Sequence, residues 1–246
     1  MNYVLAIDTS GLETRVGLSC SGTVTEKHYT EPKRASQQLL CLAEQALAEA
    51  EVPISQLDGI GVVIGPGSFT GLRIGIAVVQ GLSISHGIPL AGVSTMALSA
   101  KSACSELGDG FFLVSQIARL SEVYIGAYRC EAGPPSLVSN EFVLDLNAEF
   151  KTPTEIIENK WIGVGGGWSE RNKIEEALGL KLCSSIIEPE YRIGNLLDLC
   201  ADRLKESENI NRNLVSHGMA NSRYNNPTIP HASVNSLVAN ENKLSN

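Results

Sequence analysis

Tyr3-Val4-Leu5-Ala6-Ile7-Asp8-Thr9-Ser10-Gly11 is a short apolar run that stops on four small or polar residues. The run has the length of a strand, and Asp-Thr-Ser-Gly turns the chain sharply after it. Downstream, residues 16–20 and 23–29 alternate polar and apolar across a tight Ser21-Gly22 joint, which predicts two more strands in a meander. Residues 35–50 set Leu39, Leu42, Ala43, Ala46, Leu47 and Ala50 at helical spacing. An apolar strand over 59–64, an apolar helix over 71–86, a short strand over 90–93 and a helix over 95–105 follow. The expected order is βββαβαβα.

A degenerate copy of that order begins again at residue 111. Strands are expected over 111–118, 122–129 and 137–144, and a helical stretch over 153–159. An apolar strand over 161–164 runs into Gly165-Gly166-Gly167, and helices are expected near 169–178 and 190–207. Two such halves make a duplicated RNase H-like α/β fold of the actin, hexokinase and Hsp70 type, in which nucleotide sits in the cleft between the halves. The boundary falls near Gly108-Asp109-Gly110. Residues 1–108 then form an N-terminal subdomain and residues 109–208 a C-terminal one, with the last helix expected to cross back onto the first half. From Asn209 the helical period is lost, and residues 221–246 hold seven Asn without an apolar face. Residues 209–246 are therefore expected to be a disordered or loosely attached tail, with no role foreseen for Tyr224 or His231.

Composition excludes several functions. Nineteen basic residues against 27 acidic ones leave a net charge of −8, so the surface as a whole does not attract phosphate. Any contact with RNA is expected to be indirect. Cys20, Cys41, Cys104, Cys130, Cys183 and Cys200 lie at least 17 positions apart without a CxxC pair, and His28, His86, His217 and His231 form neither HxxxH nor HExxH. No metal site is expected. The chain enters its first strand without a basic leader, and its apolar stretch over 74–79 is far shorter than the ~20 residues of a membrane helix. These features predict a cytoplasmic protein.

Two loops could bind a nucleotide. Asp8, Thr9, Ser10 and Gly11 offer backbone N–H groups, hydroxyls and an acid where actin-like proteins wrap phosphates, but the same residues also form turns that bond to themselves. Gly165 and Gly166, followed by Gly167-Trp168, form the matching loop of the second half, where glycines would let the backbone approach an adenosine. Neither loop needs an occupant, and both could be vestigial. Between them Gly65-Pro66-Gly67-Ser68-Phe69-Thr70-Gly71-Leu72-Arg73-Ile74-Gly75 joins strand to helix without the Lys-Ser/Thr of a P-loop. The helix it opens is apolar almost all round, so it must be buried in its own core or against a partner. Gly71 and Gly75, four apart, would let another helix approach, while Arg73 could pair with an acid or a phosphate or simply reach solvent. Leu72, Val78, Val79 and Leu82, with Leu39 and Leu42 of the preceding helix, complete the expected partner-binding surface.

Leu5-Ala6-Ile7-Asp8-Thr9-Ser10, the Gly65–Gly75 stretch, Gly92-Val93-Ser94-Thr95 and Glu122-Val123-Tyr124 together resemble the TsaB (YeaZ) family of bacterial tRNA-modification proteins, over roughly residues 1–205. The resemblance implies a shortened, non-catalytic paralogue of the threonylcarbamoyltransferase subunit TsaD. It would pair with a TsaD-type subunit through its N-terminal helices, be joined by a TsaE-type ATPase, form a homodimer when the partner is missing, and carry no cofactor of its own. TsaD-type chains have an HxxxH metal motif where this one reads Val93-Ser94-Thr95-Met96-Ala97-Leu98-Ser99, and neither hydroxyls nor Met replace two imidazoles. Two departures from the family pattern are Ile117-Ala118-Arg119 and Ala35-Ser36. The alternatives are an ATP-dependent small-molecule kinase or ATPase of the same superfold, relying on Asp8, and a glycoprotease-like metallopeptidase, which the missing histidines disfavour.

Overall fold

The computed structural model describes residues 2–30, 35–184 and 187–216. Its first half is a five-stranded sheet in the order β3-β2-β1-β4-β5, made from β1 (Tyr3–Asp8), β2 (Thr14–Cys20), β3 (Thr23–Tyr29), β4 (Gly59–Gly65) and β5 (Leu90–Ser94). β1 is antiparallel to β2 and parallel to β4, and β4 is parallel to β5. A central strand covered on both faces must be apolar on both, which is why residues 3–7 form an unbroken apolar run. Leu5 and Ile7 point to one face, beneath α1 (Ala35–Glu49) and α2 (Phe69–His86). Val4 and Ala6 point to the other, beneath α6 (Ile193–Ser216).

α6 reaches this sheet because three strand residues there lack side chains. A Cβ at Gly17 would stand 2.3 Å from Ile193, at Gly61 1.9 Å from the Cys200 sulfur, and at Gly59 2.3 Å from Leu204. These glycines form the floor on which the helix lies.

The second half is a four-stranded sheet in the order β8-β7-β6-β9, from β6 (Gly110–Arg119), β7 (Glu122–Cys130), β8 (Ser136–Asp145) and β9 (Ile162–Val164). Its β6 is antiparallel to β7 and parallel to β9, as β1 is to β2 and β4, so the duplication holds in topology. One face packs on Trp161, Trp168 and the helix α5 (Arg171–Leu178). The other packs on Met96, Ala97, Ala100 and Ala103 of α3 (Thr95–Leu107), whose Leu98 is buried in the first half. α3 thus touches both sheets.

Three expectations need correction. The helical stretch at 153–159 is a single turn, α4 (Thr154–Ile157), because Pro153 starts it and Trp161 anchors its end with an indole N–H donated to the Ile156 carbonyl at 2.6 Å. The segment before α5 is a 3-10 turn over Gly166–Glu170, where consecutive glycines weaken an α-helical start. The last helix runs from Ile193 to Ser216, past the Asn209 at which the apolar period lapses. Tyr224, His231 and the Asn-rich stretch lie outside the described residues.

Candidate functional site

The Asp8–Gly11 loop is bonded to itself and to the glycine-rich stretch. Asp8 is buried, and its Oδ1 accepts both the backbone N–H of Ser10 at 2.8 Å and the Ser10 hydroxyl at 2.6 Å. The Thr9 hydroxyl donates to the Gly71 carbonyl at 2.7 Å, and the Ser68 N–H donates to the Ser10 carbonyl at 2.7 Å. The Thr9 and Ser10 hydroxyls and the Ser10 and Ser68 N–H groups, which could hold a phosphate, are therefore engaged within the protein. The glycines explain the fit: a Cβ at Gly67 would lie 2.6 Å from the Ser10 carbonyl oxygen, at Gly71 2.0 Å from that of Thr9, and at Gly75 2.4 Å from the Thr9 hydroxyl. Gly71 and Gly75 consequently open towards the chain's own loop. They do not offer a groove to a second helix, and their expected place in a partner surface is corrected here.

Tyr191 lies beside Asp8, with its hydroxyl buried. Burial, reinforced by the Asp8 carboxylate, pushes its ionisation far above the usual tyrosine range. The Arg15 guanidinium sits 4.5 Å from the centre of the Tyr191 ring and pairs with Glu13 and, at 2.9 Å, with Glu26. Burial works against its charge, but the two glutamates outweigh it and its pKa is raised.

The second loop repeats this construction. Gly165, at φ +93, follows β9 as Gly65, at φ +111, ends β4. A Cβ at Gly165 would meet the Ser115 carbonyl oxygen at 2.6 Å, and one at Gly167 the Ser115 hydroxyl at 2.2 Å. In each half, glycines at the end of a parallel strand close on the polar end of the first strand. The acid of the first half has no counterpart at Ser115-Gln116, and Gly166 has the Glu188 carboxylate 3.6 Å from the position of a Cβ, an unfavourable neighbour for a phosphate.

The stretch at the position of the TsaD-type metal motif is also engaged. Ser94 caps α3 by accepting the Met96 N–H at 3.1 Å and donates to Glu141 of β8 at 2.5 Å. Thr95 donates to the Pro66 carbonyl at 2.7 Å, Ser99 to the Thr95 carbonyl at 3.0 Å, and Met96 is buried. Glu141 also accepts the hydroxyl of Tyr128, whose ionisation is driven well above its usual range by burial and then by that carboxylate. β5 is an edge of the first sheet and β8 an edge of the second, so Glu141 ties the two halves together. Nothing local in the sequence marked this link between positions 47 residues apart.

The expected partner surface divides in two. Leu39 and Val79 are 0 % exposed and Leu42 is 7 %, all inside the core under the first sheet. Leu72, Val78 and Leu82 are half-buried against the same half. Only Arg73 projects fully outward, with Phe69 at 52 % and Ile84 at 81 % exposure on the same helix and Leu40 at 47 % on α1. The inner face of α2 meets the sheet, while its exposed positions mix Phe69, Ala77 and Ile84 with Thr70, Arg73, Gln80, Ser85 and His86.

Comparison with known proteins bears on this site. Residues 30–225 match the family model described as "TsaD: tRNA N6-adenosine threonylcarbamoyltransferase". The Escherichia coli K12 tRNA threonylcarbamoyladenosine biosynthesis protein TsaB is 32 % identical over 180 residues, 73 % of this chain and 78 % of that protein. The Bacillus subtilis TsaB is 31 % identical over 185 residues, 72 % of this chain and 77 % of that one. A crystal structure of a Pseudomonas aeruginosa protein described as similar to peptidase YeaZ superposes with a TM-score of 0.71 at 31 % identity, covering 85 % of this chain and 94 % of that chain.

Proposed function

The chain belongs to the TsaB (YeaZ) family of tRNA threonylcarbamoyladenosine biosynthesis proteins, and from that premise we propose that it is a non-catalytic subunit that supports a TsaD-type transferase. The observation that carries this reading is that α2 leaves two large apolar side chains, Phe69 and Ile84, exposed, as α1 does Leu40. Large apolar side chains left open on a helix of this composition fit a protein partner. In our reading the TsaD-type subunit covers them, a TsaE-type ATPase joins the pair, tRNA is reached only through these partners, and the same face supports a homodimer when the partner is absent. Among the described residues no helix is long and apolar enough to cross a membrane. We place the protein in the cytoplasm.

The second half of the proposal is that the cleft neither transfers nor hydrolyses anything. Its support is positive: Thr9, Ser10, Ser68, Ser94 and Thr95 all donate to groups of the protein itself. Affinity for ATP should be weak or absent in the isolated chain. The deciding experiment is titration of the full chain with its TsaD-type subunit by calorimetry, using wild type and Ile84→Asp. We expect submicromolar binding that the substitution weakens at least about tenfold, since a carboxylate would be buried on an apolar contact. Equal affinity of the two proteins would remove α2 from the interface, and micromolar ATP binding with turnover would favour the kinase or ATPase reading.

A further inference from the structure

Two of the six cysteines meet, and the function proposed above uses neither. Cys104 stands in the last turns of α3 and is half-buried, whereas Cys130 ends β7 and is 0 % exposed. Both belong to the core between α3 and the second sheet, and both are free thiols. The helix lies close to the sheet there because Ala97, Ala100 and Ala103 turn only methyl groups towards it. The Cys130 thiol therefore reaches the helix backbone, with its Sγ 3.8 Å from the Ala100 carbonyl oxygen. In an α-helix that carbonyl accepts the N–H four residues on, that of Cys104, and residues four apart share a face. The two side chains consequently meet, and Cys104 is the hydrogen-bonding neighbour of the Cys130 side chain. Cys20 and Cys200 pack in other parts of the core, and Cys41 and Cys183 are exposed.

We propose that Cys104 and Cys130 are a reversible oxidation site, which closes into a disulfide pinning the last turns of α3 to the end of β7 when the protein meets a small-molecule disulfide. Cys104, the thiol that solvent reaches, attacks one sulfur of that molecule as a thiolate. The small disulfide breaks, and its other half leaves as a thiolate that takes up a proton. The Cys130 sulfur then gives up its proton and attacks the Cys104 sulfur, and the second half leaves as a thiol. Two protein thiols have lost two electrons and two protons, and one outside disulfide has become two thiols. Burial, and then the neighbouring Cys104, push the ionisation of Cys130 well up, with Lys101 acting the other way. Cys130 is therefore slow to close the bond, and it is also a poor leaving group when an outside thiol attacks the bond at Cys104. The disulfide, once formed, outlasts a mixed disulfide at an exposed cysteine. Its position matters because α3 buries Leu98 in the first half and Met96, Ala97, Ala100 and Ala103 against the second, so the bond fixes the helix that touches both sheets.

The test holds the full folded chain in mixtures of reduced and oxidised glutathione, quenches with acid, alkylates the remaining thiols and maps the peptides by mass spectrometry. As the oxidised fraction rises, a Cys104–Cys130 peptide pair lighter by two hydrogens should appear before any disulfide that involves another cysteine, and dithiothreitol should restore both thiols. In Cys130→Ala, Cys104 should carry glutathione instead, and in Cys104→Ala, Cys130 should stay unmodified, with circular dichroism confirming that each variant is folded. The oxidised wild type should melt about 5 °C or more above the reduced form, because the bond closes a long loop of the chain. Glutathione resting on Cys104 of the wild type without closure onto Cys130 overturns the proposal, and so does a Cys104–Cys130 bond that forms only in urea. A bond that forms without raising the melting temperature refutes the pinning of α3. Should Cys130→Ala fail to fold, the wild-type peptide map decides, since it needs no variant.

Discussion

Three glycines on α2 show how much a single side chain decides. A Cβ at Gly71 would press on the Thr9 backbone at 2.0 Å and one at Gly75 on the Thr9 hydroxyl at 2.4 Å, whereas one at Gly81 would meet nothing within 4 Å. Alanine gains about 1 kcal/mol over glycine in a helix interior, so the neighbour sets the sign. Gly81→Ala should stabilise by about 0.5–1 kcal/mol, Gly75→Ala should cost about 1–2 kcal/mol, and Gly71→Ala more, because a backbone cannot rotate aside as a hydroxyl can. Thermal melts of the three variants check the order. Glu175 offers a pH-dependent counterpart. Burial raises its pKa, but hydrogen bonds from Lys181 at 2.8 Å, the Leu182 N–H at 3.1 Å and Arg171 at 2.9 Å outweigh burial and hold it at about 2. The folded pKa lies below that of an unfolded glutamate, about 4.3, so its contribution is present above that pH and fades as pH falls towards 2. Glu175→Gln should lose about 2–3 kcal/mol at pH 7 and much less near pH 2.5. Urea titrations at both pH values, showing an equal loss at each, would contradict this.

At the scale of elements, α6 and the first sheet are matched in shape. Gly61 and Cys200 share one space: a Cβ on the former would overlap the sulfur of the latter at 1.9 Å. Gly61→Ala should cost about 2–3 kcal/mol from overpacking, and Cys200→Ala about 1–2 kcal/mol from the space it leaves. The double variant should be more stable than the sum of those losses predicts, since one methyl fills what the other vacates. Additive losses would mean that the helix does not bear on Gly61. The Cys200 thiol, fully buried in this contact, has its ionisation pushed well up by burial alone, which makes it a packing residue rather than a reactive one.

Across the whole molecule, the two halves meet through α3 and through Glu141. Replacing Glu141 by alanine leaves the hydroxyls of Ser94 and Tyr128 without their acceptor. The expected cost is about 1–3 kcal/mol, with faster amide exchange at the start of α3 and along β7 and β8. Exchange unchanged in both regions would show that α3 alone joins the halves. The reading of residues 1–108 and 109–208 as separate subdomains remains a proposal to be tested in this way, with α6 counted among the first sheet's helices because of its packing.

Periodicity along the chain was enough to determine the repeated strand and helix order, because apolar spacing reports which face of an element is buried. The motifs at Asp8 and at Gly65–Gly75 likewise marked the family and the two loops. What those loops do was decided only by the folded chain. A glycine permits close approach without saying to what, and here Gly67, Gly71 and Gly75 admit the protein's own Ser10 and Thr9. The same limit explains α2: composition established that it had to be covered, but only its packing on the sheet separated the inward Gly75 and Val79 from the outward Phe69, Arg73 and Ile84. Hydrogen bonds such as Ser94 to Glu141 join residues far apart in the chain, and a local pattern carries no trace of a contact that the fold alone creates.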